Sequence, residues 1–271
     1  MPVVQSLTAL RRPWWARSAT RVAQAVRVLP CLCPVCGRLG AAVVRTSNLR
    51  EATVCTWCRS ASRQRQMAVV VLAGLPDGVR ARSLAGLARA GGLAVFNAES
   101  RRSVHVALSS MPGYRSSEYF GPRCLPGQLV DGVEHQDLQS LGFEDESFDL
   151  VLTSDVLEHV PDPYAAHAEI WRVLRPGGRH VFTIPFDPTL ADDRQRAWLD
   201  ADGGVVHHLP AEYHGDPLRE DGALVFTDFG RATLDRIRAL GFRVDVHLVT
   251  APWYGIYDGE PLVFVAVRTG G

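Results

Sequence analysis

A chain of 271 residues with 46% hydrophobic content can bury one substantial α/β core and a small appendage, which excludes two full-sized domains. Its 29 basic and 29 acidic residues balance at zero formal charge, so the positive field common to nucleic-acid binders is absent and only a local basic patch could replace it. Every basic residue is Arg, and the longest purely apolar run, residues 67–73, falls far short of the roughly 20 residues that cross a bilayer.

Residues 1–30 form a basic N-terminal segment. Val22, Val26 and Leu29 lie at helical spacing among arginines and predict a short amphipathic helix. With Trp14 and Trp15, the stretch 14–29 offers peripheral contact with an anionic membrane or a partner, or simply packs on its own domain. The paired Arg11 and Arg12 precede no apolar h-region, so no secretory or twin-arginine signal is read, and a cytoplasmic, reducing location is expected.

Residues 31–60 hold five of the six cysteines. Cys33-x2-Cys36 and Cys55-x2-Cys58, 18 residues apart, match the spacing of a four-cysteine zinc ribbon, and Pro34 and Gly37 favour a tight knuckle that aims both sulfurs at one ion. Four thiolates leave a tetrahedral Zn²⁺ no open position, so the expected role is structural. Cys31 is an alternative ligand to Cys33, and reduced or disulfide-linked cysteine is the competing reading. Arg59, Arg63 and Arg65 follow the second knuckle with Trp57 as a stacking residue, which keeps nucleic acid open as a partner, behind a structural or acceptor-positioning role. A helical connector, residues 61–90, opens with Ser60 or Ser62 as its cap, and Pro76-Asp77-Gly78 ends its first helix.

From residue 91 to 271, short apolar runs alternate with helical patterns, as in stacked βαβ units on a mostly parallel sheet. The clearest unit is FDLVLTSDVLEHV, then PDPYAAHAEIWRVLRPGG, then RHVFTIPF. Residues 148–152 read as a strand covered on both faces. Ala166, Ile170, Val173 and Leu174 repeat at helix spacing, Glu169 can pair with Arg172, Arg175 stands in the last turn, and Pro176-Gly177-Gly178 stops the helix. Near the C-terminus Asp228 is the expected cap of a helix carrying Leu234, Ile237 and Leu240. An alternating strand from Phe242 and a last strand over 262–267 follow it.

The stretch ESFDLVLTSDVLEHVPDPYAAHAEIWRVLRPGGRHVFTIPF resembles the strand-four to strand-five segment of class I S-adenosylmethionine-dependent methyltransferases of the type 11-like kind, with the LEHV-type turn and LRPGG-type helix end in register. The resemblance implies a Rossmann-like, seven-stranded, mostly parallel sheet with helices on both faces and the last strand antiparallel. It also implies S-adenosyl-L-methionine bound across the carboxyl ends of the first four strands. With strand one at 93–97 and strand two at 114–117, Glu118 is placed to accept the ribose hydroxyls. Asp137 would receive the adenine amino group, Leu138 would supply the neighbouring backbone amide, and Ser154 and Asp155 would stand beside the methionine portion, with Leu157, Glu158 and His159 forming the wall next to it. The family's Gly-rich turn after strand one is missing. Its place is taken by Asn97-Ala98-Glu99-Ser100-Arg101-Arg102, and Asn97, Glu99 and Ser100 are expected to bind the amino-acid end through side chains.

Methyl transfer needs alignment more than acid–base help, but a hydroxyl acceptor must lose a proton, and His is its natural receiver. The segment GGVVHHLPAEYHGDP gathers His207, His208, Tyr213, His214 and Asp216 where the family places acceptor-binding elements, so His207, His208 and His214 are the candidate catalytic residues. The competing readings are a lid held by histidine hydrogen bonds and a second metal site, whose spacing matches no common ligand motif. The function expected is O- or N-methylation of a small-molecule or glycan-like acceptor. The alternatives are an RNA methyltransferase guided by the ribbon and a non-catalytic binding module of the same fold.

Overall fold

The structure, a computed structural model, describes residues 3–6, 27–44, 53–215, 221–257 and 262–270. Strand β1 (Val3–Ser6) is followed in the chain by an antiparallel three-stranded sheet of β2 (Arg27–Leu32), β3 (Leu39–Val44) and β4 (Thr53–Cys55). The predicted N-terminal helix falls mainly on residues 7–26, outside the described residues. Its last part is strand rather than helix, because Leu29 pairs with Ala42 in the ladder that closes the first cysteine knuckle.

Helices α1 (Ser62–Ala73) and α2 (Leu84–Ala90) come next. The cap of α1 is neither Ser60 nor Ser62. The N-cap is Ala61, whose N–H donates to Gln64 Oε1 at 3.0 Å. The remaining order is β5 (Val95–Asn97), α3 (Ser103–Leu108), β6 (Tyr114–Glu118), β7 (Leu129–Val130), β8 (Val133–His135), β9 (Phe148–Ser154), α4 (Pro163–Val173) and β10 (Leu174–Thr183). An insertion then holds β11 (Arg194–Gln195), β12 (Ala197–Leu199), β13 (Val205–His207), β14 (Tyr213–His214), β15 (Ala223–Leu224) and β16 (Thr227–Asp228). The chain closes with α5 (Ala232–Ala239), β17 (Phe242–Thr250) and β18 (Val263–Arg268).

The central sheet has the order β1-β17-β18-β10-β9-β5-β6-β8-β7. Its inner seven strands have the arrangement expected: β8, β6, β5, β9 and β10 are parallel, and β18 runs antiparallel to both β10 and β17. The sheet is nine-stranded rather than seven-stranded because each edge is extended. β1 pairs with β17, and β7 folds onto β8 through Asp131-Gly132, both at positive φ (50° and 78°), the geometry of a two-residue primed turn.

Buried apolar side chains cover both faces of the sheet. On one face Met67, Val69, Val70 and Val71 of α1 and Leu84 and Leu87 of α2 join Leu150, Leu152, Val181 and Val265, and the same cluster takes in Cys33, Val35 and Cys55. The cysteine hairpins and the helices after them are thus packed onto the sheet. On the other face Ile170 of α4 and Leu234 and Ile237 of α5 meet Phe96, Val151, Phe182 and Phe264.

Helix α4 forms for local reasons. Asp162 accepts from the N–H groups of Tyr164 and Ala165, each at 3.0 Å, Pro163 occupies the first turn, and Glu169 pairs with Arg172 at 2.8 Å. Two expectations nearby are corrected. The helix ends at Val173, and Arg175 lies in β10, where it pairs with Asp149 at 2.8 Å. Asp228 does not cap α5, because it sits in β16 and is held by Arg194 and Arg196 at 3.0 and 2.9 Å. Asp193 instead accepts from Gly230 N–H and the Thr233 hydroxyl at the start of α5. Among the described residues no helix is long and apolar enough to cross a membrane.

Candidate functional site

A cavity of about 670 Å³ opens at the carboxyl ends of β5, β6, β8 and β9. It lies where the sheet's connections change direction, the place at which open α/β sheets bind ligands. Ala98 and Glu99 follow β5 into its wall, residues 117–119 come from the end of β6, residues 136–139 from beyond β8, and residues 154–156 from β9. Arg63 of α1 enters from one side. The other side is built by residues 159–161, by 213–215 and by Ala223. A second cavity, about 460 Å³, opens at the opposite end of the sheet beside Asp149 and Arg175, and none of the predicted site residues reaches it.

Of the predicted cofactor residues, Glu99, Glu118, Asp137, Leu138, Ser154, Asp155 and His159 line the cavity, and Asn97 and Ser100 do not. Asn97 is buried and its amide donates to Glu99 O at 2.8 Å and to the Tyr114 hydroxyl at 3.0 Å. The N–H and hydroxyl of Ser100 both donate to Glu118 Oε1 at 2.8 Å. These two residues therefore shape the turn rather than line the cavity. No residue from 97 to 102 has a positive φ, so side-chain hydrogen bonds hold here a turn that elsewhere needs glycine. Burial pushes the Glu99 carboxyl up, against the opposing charges of Arg102 and Arg63. Asp137 Oδ1 accepts from Gln139 N–H at 2.9 Å, so this carboxylate also caps its own turn.

Asp155 is a non-glycine residue at φ 52°, a strained backbone position at the end of β9. The Thr183 hydroxyl donates to its Oδ1 at 2.8 Å, and Arg63 Nη1 lies 3.5 Å from its Oδ2 and also donates to the Ser154 hydroxyl. The Arg63 contact went unanticipated. Ser62, Arg63, Gln64, Arg65 and Gln66 form a wholly polar helix start, yet all are buried. A first turn that is polar all round offers no apolar face to mark as inward, so the local sequence carried no signal for this burial.

The far wall centres on Glu158, which has no exposed surface and no hydrogen bond to its carboxylate among the described residues. His159 Nε2 and His214 Nδ1 each lie 3.7 Å from Glu158 Oε1, and the two rings meet edge to face at 5.1 Å. His159 Nδ1 donates to Leu224 O at 2.8 Å, and His214 Nε2 faces Glu212 Oε1 at 3.5 Å. The Glu158 carboxylate raises the His214 pKa, opposed by burial and aided by Glu212. His207 and His208 are exposed on or beside β13 and do not line the cavity, because pairing with β12 fixes their direction: His207 opposes Ala197, and His208 N–H donates to Arg196 O at 2.7 Å. Asp216 lies outside the described residues.

Away from the cavity, the thiols of Cys33, Cys36, Cys55 and Cys58 all lie within 4.8 Å of one another. The two knuckles share one bonding pattern. Cys33 O accepts from Gly37 N–H at 2.8 Å and Cys55 O from Arg59 N–H at 3.0 Å, with Gly37 and Arg59 both at positive φ. Arg65 is fully buried beside them and donates to the carbonyls of Thr53 and Gly255, each at 2.9 Å, and of Ser60.

Residues 122–182, the stretch from the loop after β6 into β10, match the family model described as methyltransferase domain. The chain is similar to an uncharacterized methyltransferase of Mycobacterium sp. (strain KMS), 52% identical over 129 residues that cover 43% of this chain and 47% of that protein. It is also similar to malonyl-(acyl-carrier protein) O-methyltransferase of Hahella chejuensis, 41% identical over 120 residues, 40% of this chain and 42% of the relative. Among solved structures, an S-adenosylmethionine-dependent methyltransferase from Mesorhizobium loti aligns over 77% of this chain and 98% of its own at 18% identity, with a TM-score of 0.44. The chain spans less than half the length of the curated relatives it matches.

Proposed function

We propose that this protein transfers a methyl group from S-adenosyl-L-methionine to an oxygen or nitrogen of a small-molecule or glycan-like acceptor. One observation carries the reading: Glu118, Asp137, Leu138, Ser154, Asp155 and His159, from three separate strand ends, line one cavity beside the segment that matches the methyltransferase family. Glu118 is assigned to the ribose hydroxyls, with Ser100 occupying Oε1 and Oε2 left for the ligand. Asp137 and the Leu138 amide are assigned to adenine. Glu99, Arg63 and Arg102 are assigned to the zwitterionic amino-acid end, because a carboxylate beside two guanidiniums complements an ammonium beside a carboxylate. The cofactor supplies the electrophilic methyl group. The chain's own residues align the acceptor, exclude water and, at the wall of Glu158, His159 and His214, receive a proton from a hydroxyl acceptor.

The cysteine cluster is assigned to a structural Zn²⁺. The convergence of four sulfurs supports this, as does the buried Arg65 cation, which has carbonyls as its hydrogen-bond partners and would offset the negative charge of a four-thiolate centre. The nucleic-acid reading is weakened because Arg63 and Arg65, two of the three arginines it relied on, are buried. A Cys58→Ser variant is expected to lose zinc, and retention of the full zinc content would remove the assignment.

Calorimetry on the zinc-loaded chain tests the main reading. S-adenosylmethionine and its demethylated product should each bind one to one, and Glu118→Gln should weaken both by about tenfold or more, the effect of losing a charged hydrogen-bond acceptor. Failure of the folded, zinc-loaded protein to bind either compound would overturn it.

A further inference from the structure

We infer that Glu158, His159 and His214 form a second metal site, one that takes a divalent first-row cation at the acceptor side of the cavity. The three side chains bring one oxygen and two imidazole nitrogens within 4.8 Å of one another. Two ligands each about 2.1 Å from one ion stand about 3.0 to 3.4 Å apart, depending on the geometry around it. The observed 3.7 Å from Glu158 Oε1 to His159 Nε2 and to His214 Nδ1 is a few tenths of an ångström wider, within reach of small side-chain rotations.

Two features go beyond proximity. Glu158 is completely buried, and neither carboxylate oxygen has a hydrogen bond among the described residues. Buried charges of this kind are paired or bound to metal, because leaving one bare is costly. In addition, each imidazole has its other nitrogen turned toward an acceptor. Leu224 O accepts from His159 Nδ1 at 2.8 Å, which places the proton on Nδ1 and leaves the Nε2 lone pair directed at Glu158. Glu212 Oε1 stands 3.5 Å from His214 Nε2 and does the same for the Nδ1 lone pair. An outer carboxylate or carbonyl behind each ligating histidine is how metal sites orient their imidazoles.

Two nitrogens and one oxygen suit manganese, iron, cobalt, nickel or zinc better than magnesium or calcium, which prefer all-oxygen shells. Three protein ligands leave coordination positions open, and His159 and His214 both line the cavity, so those positions face the space left for the acceptor. This is the opposite of the closed cysteine cluster. An ion held there would supply Lewis-acid polarisation of an acceptor oxygen and would replace proton uptake by the imidazoles, because both ring nitrogens of each histidine would then be engaged. The metal site itself stands on the cluster's geometry and does not depend on methyl transfer. Only the role given to the ion rests on that proposed activity.

The test uses the full chain carrying one equivalent of zinc, enough for the cysteine cluster alone, without cofactor, titrated with Co²⁺ and followed by visible absorption. One equivalent should bind with d–d bands and no sulfur-to-cobalt charge transfer. His214→Ala, at a partly exposed position, should keep the fold by circular dichroism and bind Co²⁺ at least tenfold more weakly, and Glu158→Gln should do the same. Glu212→Gln, which changes the outer partner of His214 and also the 3.0 Å pair with Arg196, should cost about tenfold. No uptake by the wild type would overturn the inference. So would bands of the thiolate type alone, or equal uptake by wild type and His214→Ala. Because cofactor is absent from every arm, a negative result here leaves the cofactor calorimetry unaffected, and the reverse also holds.

Discussion

Two pairs of histidines in this protein have nearly the same internal geometry and opposite surroundings. His167 and His180 meet edge to face with 5.3 Å between ring centroids, and His159 and His214 do so at 5.1 Å. The first pair is fully buried between α4 and β10, among the rings of Phe182 and Phe242, with no carboxylate beside it. Neither ring nitrogen of His167 has a partner among the described residues, and His180 Nε2 meets only the Thr153 hydroxyl at 2.9 Å. Burial pushes the His167 pKa down to about 3 and that of His180 far down as well. The second pair stands at the cavity edge with Glu158 3.7 Å away, and the carboxylate moves His214 in the other direction. Ring geometry is therefore silent about chemistry. A neighbouring carboxylate and access to the cavity decide whether an imidazole is packing material or a reactive group.

The sharpest way to break this contrast is to remove His214. His214→Ala is expected to lower kcat about a hundredfold, the usual scale for losing a positioned proton-transfer group, while S-adenosylmethionine affinity stays within about twofold. The measurement is release of the demethylated cofactor with an acceptor that the wild type turns over. An unchanged kcat would place the second pair alongside the first.

The buried pair should announce itself through acid sensitivity. Folded His167 stays neutral down to about pH 3, whereas the unfolded chain takes up that proton near pH 6.5, so the unfolded state binds more protons throughout that window. Stability contributed by the neutral ring is complete above pH 6.5 and falls as pH drops, by about 2 kcal/mol at about pH 5 from this one residue. His167→Leu should flatten the fall, and chemical denaturation at about pH 7 and about pH 5 measures it. A variant with the wild-type slope would show that some other group governs the acid limb.

The smallest effect is expected at a third pair. His207→Ala and His208→Ala remove exposed rings that do not reach the cavity, and each should change turnover by less than about twofold and stability by less than about 0.5 kcal/mol. A large loss of turnover in either would mean that the insertion closes over the acceptor.

The legible part of the fold was the part stabilised by neighbours in sequence. The β9–α4–β10 unit follows from an apolar run, an Asp-Pro start and Gly177, which sits at φ 80° inside β10 where its register with β9 shifts between Leu174 and Arg179. The turn at Asp131-Gly132 was equally local, a DG pair between apolar runs, and went unread because each flanking strand is only two or three residues long. Glu118 and Asp137 were legible as cavity-lining residues because parallel strands deliver the side chains at their carboxyl ends to the same edge each time. Asn97 and Ser100 were not, because whether a turn residue faces a cavity or its own loop depends on partners such as Tyr114 and Glu118, 17 and 18 residues away.

The sequence by itself determined the sheet order's central unit, the pairing of cysteines into two knuckles and the strand-end acids, all of which depend on spacing and local backbone preference. Only the tertiary structure decided that Arg63 and Arg65 point inward, that β1 and β7 extend the sheet to nine strands, and that His214 rather than His207 or His208 reaches the cavity. The reason in each case is the same. These features depend on which surface a segment is pressed against, and the partners that press on them are distant along the chain: Gly255 is 190 residues from Arg65, and Leu224 is 65 residues from His159.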